Sequence, residues 1–136
     1  MRPDVLMGIG RHFTSVSAFV SAMEESAYRH ARDSFERYKA AGLFSGGDAL
    51  QQSCAIAARL GWGKWQSSEE AGGDIALEVR NSPFAAGIVA SEVPVCGPIL
   101  GVLRAIYITA HDEQVTVQET SCCAQGHEFC TFRVMR

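Results

Sequence analysis

The last third of the chain carries a strand pattern that directs an acidic side chain into the protein interior. Apolar residues alternate with polar ones from Val115 to Glu119 and again from Cys130 to Val134. This alternation is typical of half-buried strands, whose side chains point in turn to the two faces of a sheet. Glu119 shares the face of Val115 and Val117, so an inward orientation of that face would bury a carboxylate. A buried carboxylate without a partner costs several kcal/mol, and it therefore needs a compensating cation or a proton.

Cysteines lie where they could supply that partner. Cys122 follows Glu119 by three residues in the predicted hairpin loop, and Cys130 begins the returning strand. Cys96 lies near the start of a predicted helix, where the helix dipole favours a thiolate. Three thiolates and one carboxylate complete a tetrahedral shell that zinc accepts. The sequence therefore predicts a structural zinc site on Cys96, Glu119, Cys122 and Cys130, with no open position for water.

Other residues near this set have competing interpretations. His127 is the main rival ligand, because it could displace Glu119 in a site of three cysteines and one histidine, although its polar loop favours a solvated side chain. Cys54 lies on the apolar stripe of a predicted helix and is interpreted as a core residue. Cys123 is adjacent to Cys122 and is interpreted as a bystander. Because the N-terminus lacks the pattern of a secretory signal, the cysteines are expected to stay reduced rather than form disulfides.

The remaining sequence predicts helices and strands in a simple order. Helices are predicted over three segments, at Thr14–Ala41, at Asp48–Gly61 and from about Cys96 to Ala110. Strands are predicted around Trp62–Gln66, Ile75–Val79, Glu113–Thr120 and Phe129–Met135. The prediction is an α+β fold, with an antiparallel sheet of about four strands and helices packed on it. The order is helix, helix, strand, strand, helix, strand, strand.

The third predicted helix is apolar almost all round, so it is expected to be buried by the sheet and by a second subunit. Arg104 is its only charge. Two expectations for Arg104 are equally open, a pair with an acid across a dimer interface or simple contact with solvent. The Glu24–Glu25 pair is interpreted as a solvated helix face. Six aromatic residues are interpreted as core side chains, namely Phe35, Tyr38, Trp62, Trp65, Phe84 and Tyr107.

Length and composition exclude several classes of protein. A chain of 136 residues that is 47% apolar suits one domain, predicted as residues 1–136. Twelve basic residues against 15 acidic ones, without a basic run, give no indication of direct nucleic-acid binding. The longest apolar run, Ile99–Ile108, is interrupted by Gly101 and Arg104 and does not predict a membrane span. We expect a cytoplasmic protein.

The tail ETSCCAQGHEFCTFRV, with Cys96 upstream in PVCGPILG, resembles the 4-vinyl reductase domain family. That family includes the sensor domains of phenol- and xylene-responsive transcription activators, which hold zinc on Cys, Glu, Cys and Cys at similar spacings. The resemblance implies zinc as cofactor, a homodimer, and a hydrophobic cavity between sheet and helices. It places the cavity-lining, ligand-binding positions near Leu77, Val79, Leu100, Ile106, Val117 and Phe132.

The chain departs from the phenol sensors at the position of their hydrogen-bonding tryptophan, which aligns with Val79. No histidine falls near the position of their ligand-binding histidine. An apolar lining of this kind favours a hydrocarbon or another greasy ligand over a phenol.

Three functions are therefore open. The first is a zinc-stabilised domain that binds a small hydrophobic ligand, hydrocarbon or aromatic, and senses or carries it as a homodimer. The second is an enzyme or accessory protein in vinyl reduction of a bacteriochlorophyll precursor, although the chain has no Gly-rich dinucleotide motif and little room for both a reductant and a macrocycle. The third is a dimeric protein-interaction module without a small ligand. Co-purified ligand and a spectral response to pigment would discriminate among them.

Overall fold

Four strands form one antiparallel sheet in the computed structural model, which describes residues 1–44 and 46–136. In chain order they are β1 (Lys64–Glu69), β2 (Ile75–Arg80), β3 (Thr116–Ser121) and β4 (Cys130–Met135). Their spatial order is β1-β2-β4-β3, so the last strand inserts between β2 and β3. Leu77 pairs with Phe132 across β2 and β4, and Glu119 pairs with the same Phe132 from β3. The register shifts between Glu119 and Ser121, directly before Cys122.

The helices are α1 (Pro3–Gly8), α2 (Val16–Ala40), α3 (Ala49–Arg59), α4 (Pro83–Gly87) and α5 (Gly97–His111). The predicted α+β fold and the order of its main elements are confirmed. The predicted bounds of the three long helices differ from the observed ones by at most two residues. The sequence interpretation missed α1 and α4, which each begin with a proline and span less than two turns. Such short helices carry too little periodic signal to be recognised.

One face of the sheet is buried by α5 and the other is polar. The inward side chains of the two central strands are closed off from solvent: Leu77, Val79, Phe132 and Val134 are at most 1% exposed. Their neighbours Glu78 and Arg133 point outward, as alternation along a strand requires. The core therefore lies between the sheet and α5.

Two glycines allow α5 to approach α2 closely. A Cβ on Gly97 would collide with the backbone carbonyl of Val20, and one on Gly101 would collide with that of Glu24. These positions lie one turn apart on one face of α5, so both helix backbones meet along this line. The α2–α5 pair is thereby fixed as a layer over the sheet. No helix among the described residues has the length and apolar character needed to cross a membrane.

Arg104 contacts acids of its own chain. Its Nη1 lies 2.8 Å from Glu24 Oε1, and its guanidinium lies 4.5 Å from the centre of the Tyr28 ring. The interpretation of Glu24 as part of a merely solvated face is wrong, because the side chain is only 27% exposed and pairs with α5. The sequence interpretation missed this pair because helix α2 and helix α5 are far apart in the chain.

Candidate functional site

The predicted metal ligands converge at one end of the sheet. Cys96 is the N-cap of α5, Glu119 lies in β3, Cys122 follows that strand, and Cys130 opens β4. Their ligand atoms all lie within 4.8 Å of one another. Glu119 is 7% exposed and the three cysteines are fully buried. The hairpin and the start of α5 therefore bring together four side chains that the sequence separates by up to 34 residues.

The sulfur positions fit a tetrahedral metal centre. Cys96 Sγ lies 3.6 Å from Cys130 Sγ. Two sulfurs on a tetrahedral zinc ion lie roughly 3.8 Å apart when each Zn–S bond is about 2.3 Å. Sulfur-rich sets with one further oxygen ligand suit zinc among the common biological metals. The donor set could therefore hold such an ion with little rearrangement.

Glu119 is the side chain whose environment most requires a cation. Its Oε2 accepts a hydrogen bond from the Cys96 backbone N–H at 2.9 Å. Its Oε1 is buried and has no hydrogen-bond partner among the described residues. Burial and the nearby Cys122 thiol raise the pKa of this carboxyl to about 8. A buried oxygen without a partner is costly, and a bound metal ion would satisfy it.

The thiols form a connected group. Hydrogen bonds from Cys130 and Cys96 lower the pKa of the Cys122 thiol, and the same contact with Cys122 raises the pKa of each of these partners. The Cys123 backbone N–H points at Cys130 Sγ at 3.3 Å. These contacts stabilise negative charge on sulfur, which is the form that binds metal.

The rival residues lie outside this cluster. His127 is exposed in the loop between β3 and β4. Cys123 is half-buried, and its Sγ lies 3.5 Å from the Glu128 carbonyl oxygen. Cys54 is buried on α3, away from the cluster in the sequence, and all five cysteines are free thiols.

Comparison with known proteins agrees with this arrangement. Residues 75–136 match the profile of the 4-vinyl reductase domain family. The resemblance inferred from the sequence is confirmed. The matched segment contains all four cluster residues and most of the sheet. No curated protein sequence matches the chain.

Solved structures resemble the whole chain in fold. The crystal structure of the phenol-responsive sensory domain of the transcription activator PoxR, with phenol, has a TM-score of 0.80 at 11% identity, covering 98% of this chain and 74% of that one. A vinyl-4-reductase family protein from Methanocaldococcus jannaschii has a TM-score of 0.63 at 18% identity, covering 82% and 66%. A trafficking protein particle complex subunit 3 from Naegleria fowleri, covalently bound to palmitic acid, has a TM-score of 0.67 at 13% identity, covering 98% and 93%. At these identities the likeness concerns the fold alone.

A cavity of about 550 Å³ lies between α2 and α3. Helix α1 closes one end through Leu6, and α5 contributes Pro98 and Val102. The mouth is bordered by Tyr38, Ile56 and Leu60, which are 47%, 45% and 62% exposed. The lining is rich in aromatic side chains: Phe35, Tyr38, Trp62, Trp65 and Phe84. The sequence interpretation assigns all five to the core, and nothing in their spacing distinguishes a core wall from a cavity wall.

The chemistry of the lining is almost wholly apolar. Among the described residues that line the cavity there is no Asp, Glu, Lys or Arg. The Trp65 indole N–H donates to the Trp62 carbonyl oxygen at 3.1 Å, so it is not free for a ligand. Ser53 donates to the Ala49 carbonyl, and His30 Nδ1 lies 2.8 Å from the Ser26 carbonyl oxygen. Hydrogen bonding to a ligand is therefore limited to the α2 wall.

The six cavity positions inferred from the family resemblance lie elsewhere. Four of them are closed into the core between sheet and helices, namely Leu77, Val79, Ile106 and Phe132. Leu100 and Val117 are partly buried against that core. None of the six lines the α2–α3 cavity. Their contact with a ligand stays a prediction, whereas the cavity itself is lined by residues that the sequence interpretation did not select.

Proposed function

We propose that this chain is a zinc-stabilised binding domain for a small, uncharged hydrophobic ligand, a hydrocarbon or an aromatic molecule, which it senses or carries. The observation that carries the proposal is the apolar, aromatic-lined cavity without a charged side chain among its described residues. A charged ligand placed there would lose its hydration and gain no ion pair. The PoxR sensory domain, whose structure contains phenol, gives independent support from a similar fold. We assign residues 1–136 to one such domain, acting in the cytoplasm, where its thiols would stay reduced.

Zinc would have a structural role in this proposal. Cys96, Glu119, Cys122 and Cys130 would hold it, and it would cross-link the start of α5 to the β3–β4 hairpin. Four protein ligands leave no position for a reacting water, which is the pattern of structural rather than catalytic zinc. Cys96 and Glu119 are already joined by a hydrogen bond, so the cross-link extends an existing contact.

The cavity size favours a ligand larger than a single small ring. Its volume of about 550 Å³ falls within the range of ordinary small-molecule sites, roughly 300–1,000 Å³. Apolar area removed from water contributes about 25 cal/mol per Å², so an occupant that fills the space gains most. Because the Trp65 N–H is engaged, a hydroxyl on the ligand is not required for recognition.

Binding of naphthalene, an uncharged bicyclic hydrocarbon, tests the proposal. We expect its fluorescence to change on titration with the zinc-loaded protein. Ala31→Phe should weaken binding at least about tenfold, because a ring added to the α2 wall occupies ligand volume. Ala22→Phe is the matched control, since Ala22 is exposed on the same helix and does not line the cavity. Absence of binding to wild type, or equal binding by both variants, would contradict the proposal.

A homodimer is part of the same proposal. Val5, Ile9 and Phe13 recur at four-residue steps near the N-terminus and are 54%, 43% and 52% exposed. Exposed apolar side chains in a row favour an interface over contact with water. Sedimentation of wild type and of Ile9→Glu would test this assignment, and a wild type that sediments as a monomer at high concentration would contradict it.

A further inference from the structure

Ser82 connects the metal cluster to the cavity wall. It lies between β2 and α4 and is only 4% exposed. Its Oγ lies 3.3 Å from Cys96 Sγ, inside the cluster. The same residue is the N-cap of α4, where its Oγ accepts a hydrogen bond from the Ala85 backbone N–H at 3.5 Å. One buried hydroxyl therefore contacts both a metal-ligand sulfur and the first turn of a helix.

The roles of the two contacts follow from the chemistry of a hydroxyl. A serine side chain has one O–H donor and two acceptor lone pairs. The Ala85 N–H uses a lone pair of the oxygen, which leaves the O–H proton free to donate to Cys96 Sγ. Hydrogen bonds to a thiolate are charge-assisted and stronger than neutral ones. The position of Ser82 is thus tied to the position of that sulfur.

Helix α4 carries this position to the cavity. Phe84, two residues beyond Ser82, is 3% exposed and packs edge-on against Trp62, with ring centres 4.9 Å apart. Both rings line the cavity. At the other end of α4, Gly87 packs so closely on α1 that a Cβ would collide with Met7. A displacement of α4 would therefore move two walls of the cavity together.

We propose that Ser82 is a positioning residue that couples the state of the metal site to the shape of the ligand cavity. The inference rests on the proposed function, because it concerns binding in that cavity. Helix α5 also runs from Cys96 to the cavity through Pro98, but the close contact of Gly97 with α2 holds its start in place. Helix α4 spans only five residues and depends on its cap, so it is the more easily displaced connection.

Coupling of this kind is reciprocal and can be measured by exchanging the metal. Protein loaded with zinc is compared with protein loaded with cadmium, a larger ion that also prefers thiolates. We expect the naphthalene Kd to differ between the two forms by roughly fivefold in wild type, at the low end of known coupling between sites. In Ser82→Ala the ratio should fall towards one. In Ser82→Thr, which retains the hydroxyl, it should stay near the wild-type value.

The ratio separates coupling from a simple loss of structure. Removal of the helix cap alters the zinc and cadmium forms alike, so it cancels in the ratio of their Kd values. Phe84→Leu provides a second variant should Ser82→Ala fold poorly, and it should lower the ratio because the ring edge against Trp62 is lost. A ratio of one in wild type, or an unchanged ratio in Ser82→Ala and Phe84→Leu, would overturn the inference and leave the proposed function standing. Failure of naphthalene to bind wild type would overturn both.

Discussion

The cluster of thiols and the apolar cavity differ in how they are assembled. The cluster uses Cys96 and one hairpin, Glu119 to Cys130, and its atoms are sealed from water. The cavity uses residues from Met1 to Val102, drawn from five helices and strand β1, and it opens to solvent. A buried carboxylate oxygen needs a partner wherever it occurs, whereas an apolar wall is satisfied equally by a neighbouring side chain or by a ligand. The cluster thus specifies its occupant closely, and the cavity specifies only size and lack of charge.

The largest effect should come from breaking the cluster itself. Cys130→Ser should lose zinc and lower the free energy of unfolding by more than about 4 kcal/mol, because the remaining buried ligands are left without their cation. Metal content by mass spectrometry and unfolding in urea measure the two quantities. Cys123→Ser is the control, since its half-buried sulfur lies outside the cluster. A Cys130→Ser protein that unfolds at the wild-type urea concentration would show that the hairpin needs no metal.

The identity of the fourth ligand gives the next largest effect. Glu119→Gln should weaken zinc binding at least about tenfold, since even changes to residues that only support a ligand cost that much. His127→Ala should leave zinc binding unchanged, because the side chain is exposed in its loop. Chelator competition measures both affinities, and a loss in His127→Ala with none in Glu119→Gln would reverse the assignment.

Removing the metal should also expose the titration of Glu119. Its pKa in the folded protein is raised from 4.5 to about 8, so the folded state holds a proton that the unfolded state releases. The metal-free protein should therefore lose stability as pH rises from about 4.5 through about 8, and Glu119→Gln should remove that dependence. Thermal unfolding across this pH range is the measurement, and a stability that rises with pH in the metal-free wild type would contradict the assignment.

The helix contact beneath the cavity should have an intermediate effect. Gly101→Ala places a methyl group against the Glu24 backbone, and we expect it to cost about 2 kcal/mol through overpacking. Because α2 is a cavity wall, naphthalene affinity should fall as well, while zinc content stays at the wild-type value. Gly47→Ala is the control, as no atom lies within 4 Å of its added Cβ. Equal urea midpoints for the two variants would argue against a tight α2–α5 contact.

The smallest effect should come from the Arg104–Glu24 pair. Arg104→Met retains the apolar stem and removes the charge, so we expect a loss of about 0.5–1 kcal/mol that shrinks at high salt. Arg29→Met, in a more exposed pair with Glu25, should change stability less. Urea midpoints at low and high salt test this order, and a larger loss in Arg29→Met would reverse it.

The cluster could be predicted from the sequence, and the cavity could not. The alternation around Glu119 and Cys130 is local, so strand faces and the ligand set can be inferred without knowing the fold. Phe35 and Trp62 have the same apolar character whether they face a side chain or a space, so their spacing does not locate a cavity. Gly101 carries no signal of a helix contact, and the Ser82 contact with the cluster depends on the brief helix α4. Such features arise from the meeting of distant segments.

The exposed rim of the cavity sets the time dependence of any response. Tyr38, Ile56 and Leu60 border the mouth and remain in contact with water. Exposed side chains reorient within picoseconds to nanoseconds, far faster than buried helices separate. A molecule held in this cavity would exchange without waiting for the core to open. Its occupancy would follow the surrounding concentration in both directions, and the protein would register present rather than past exposure.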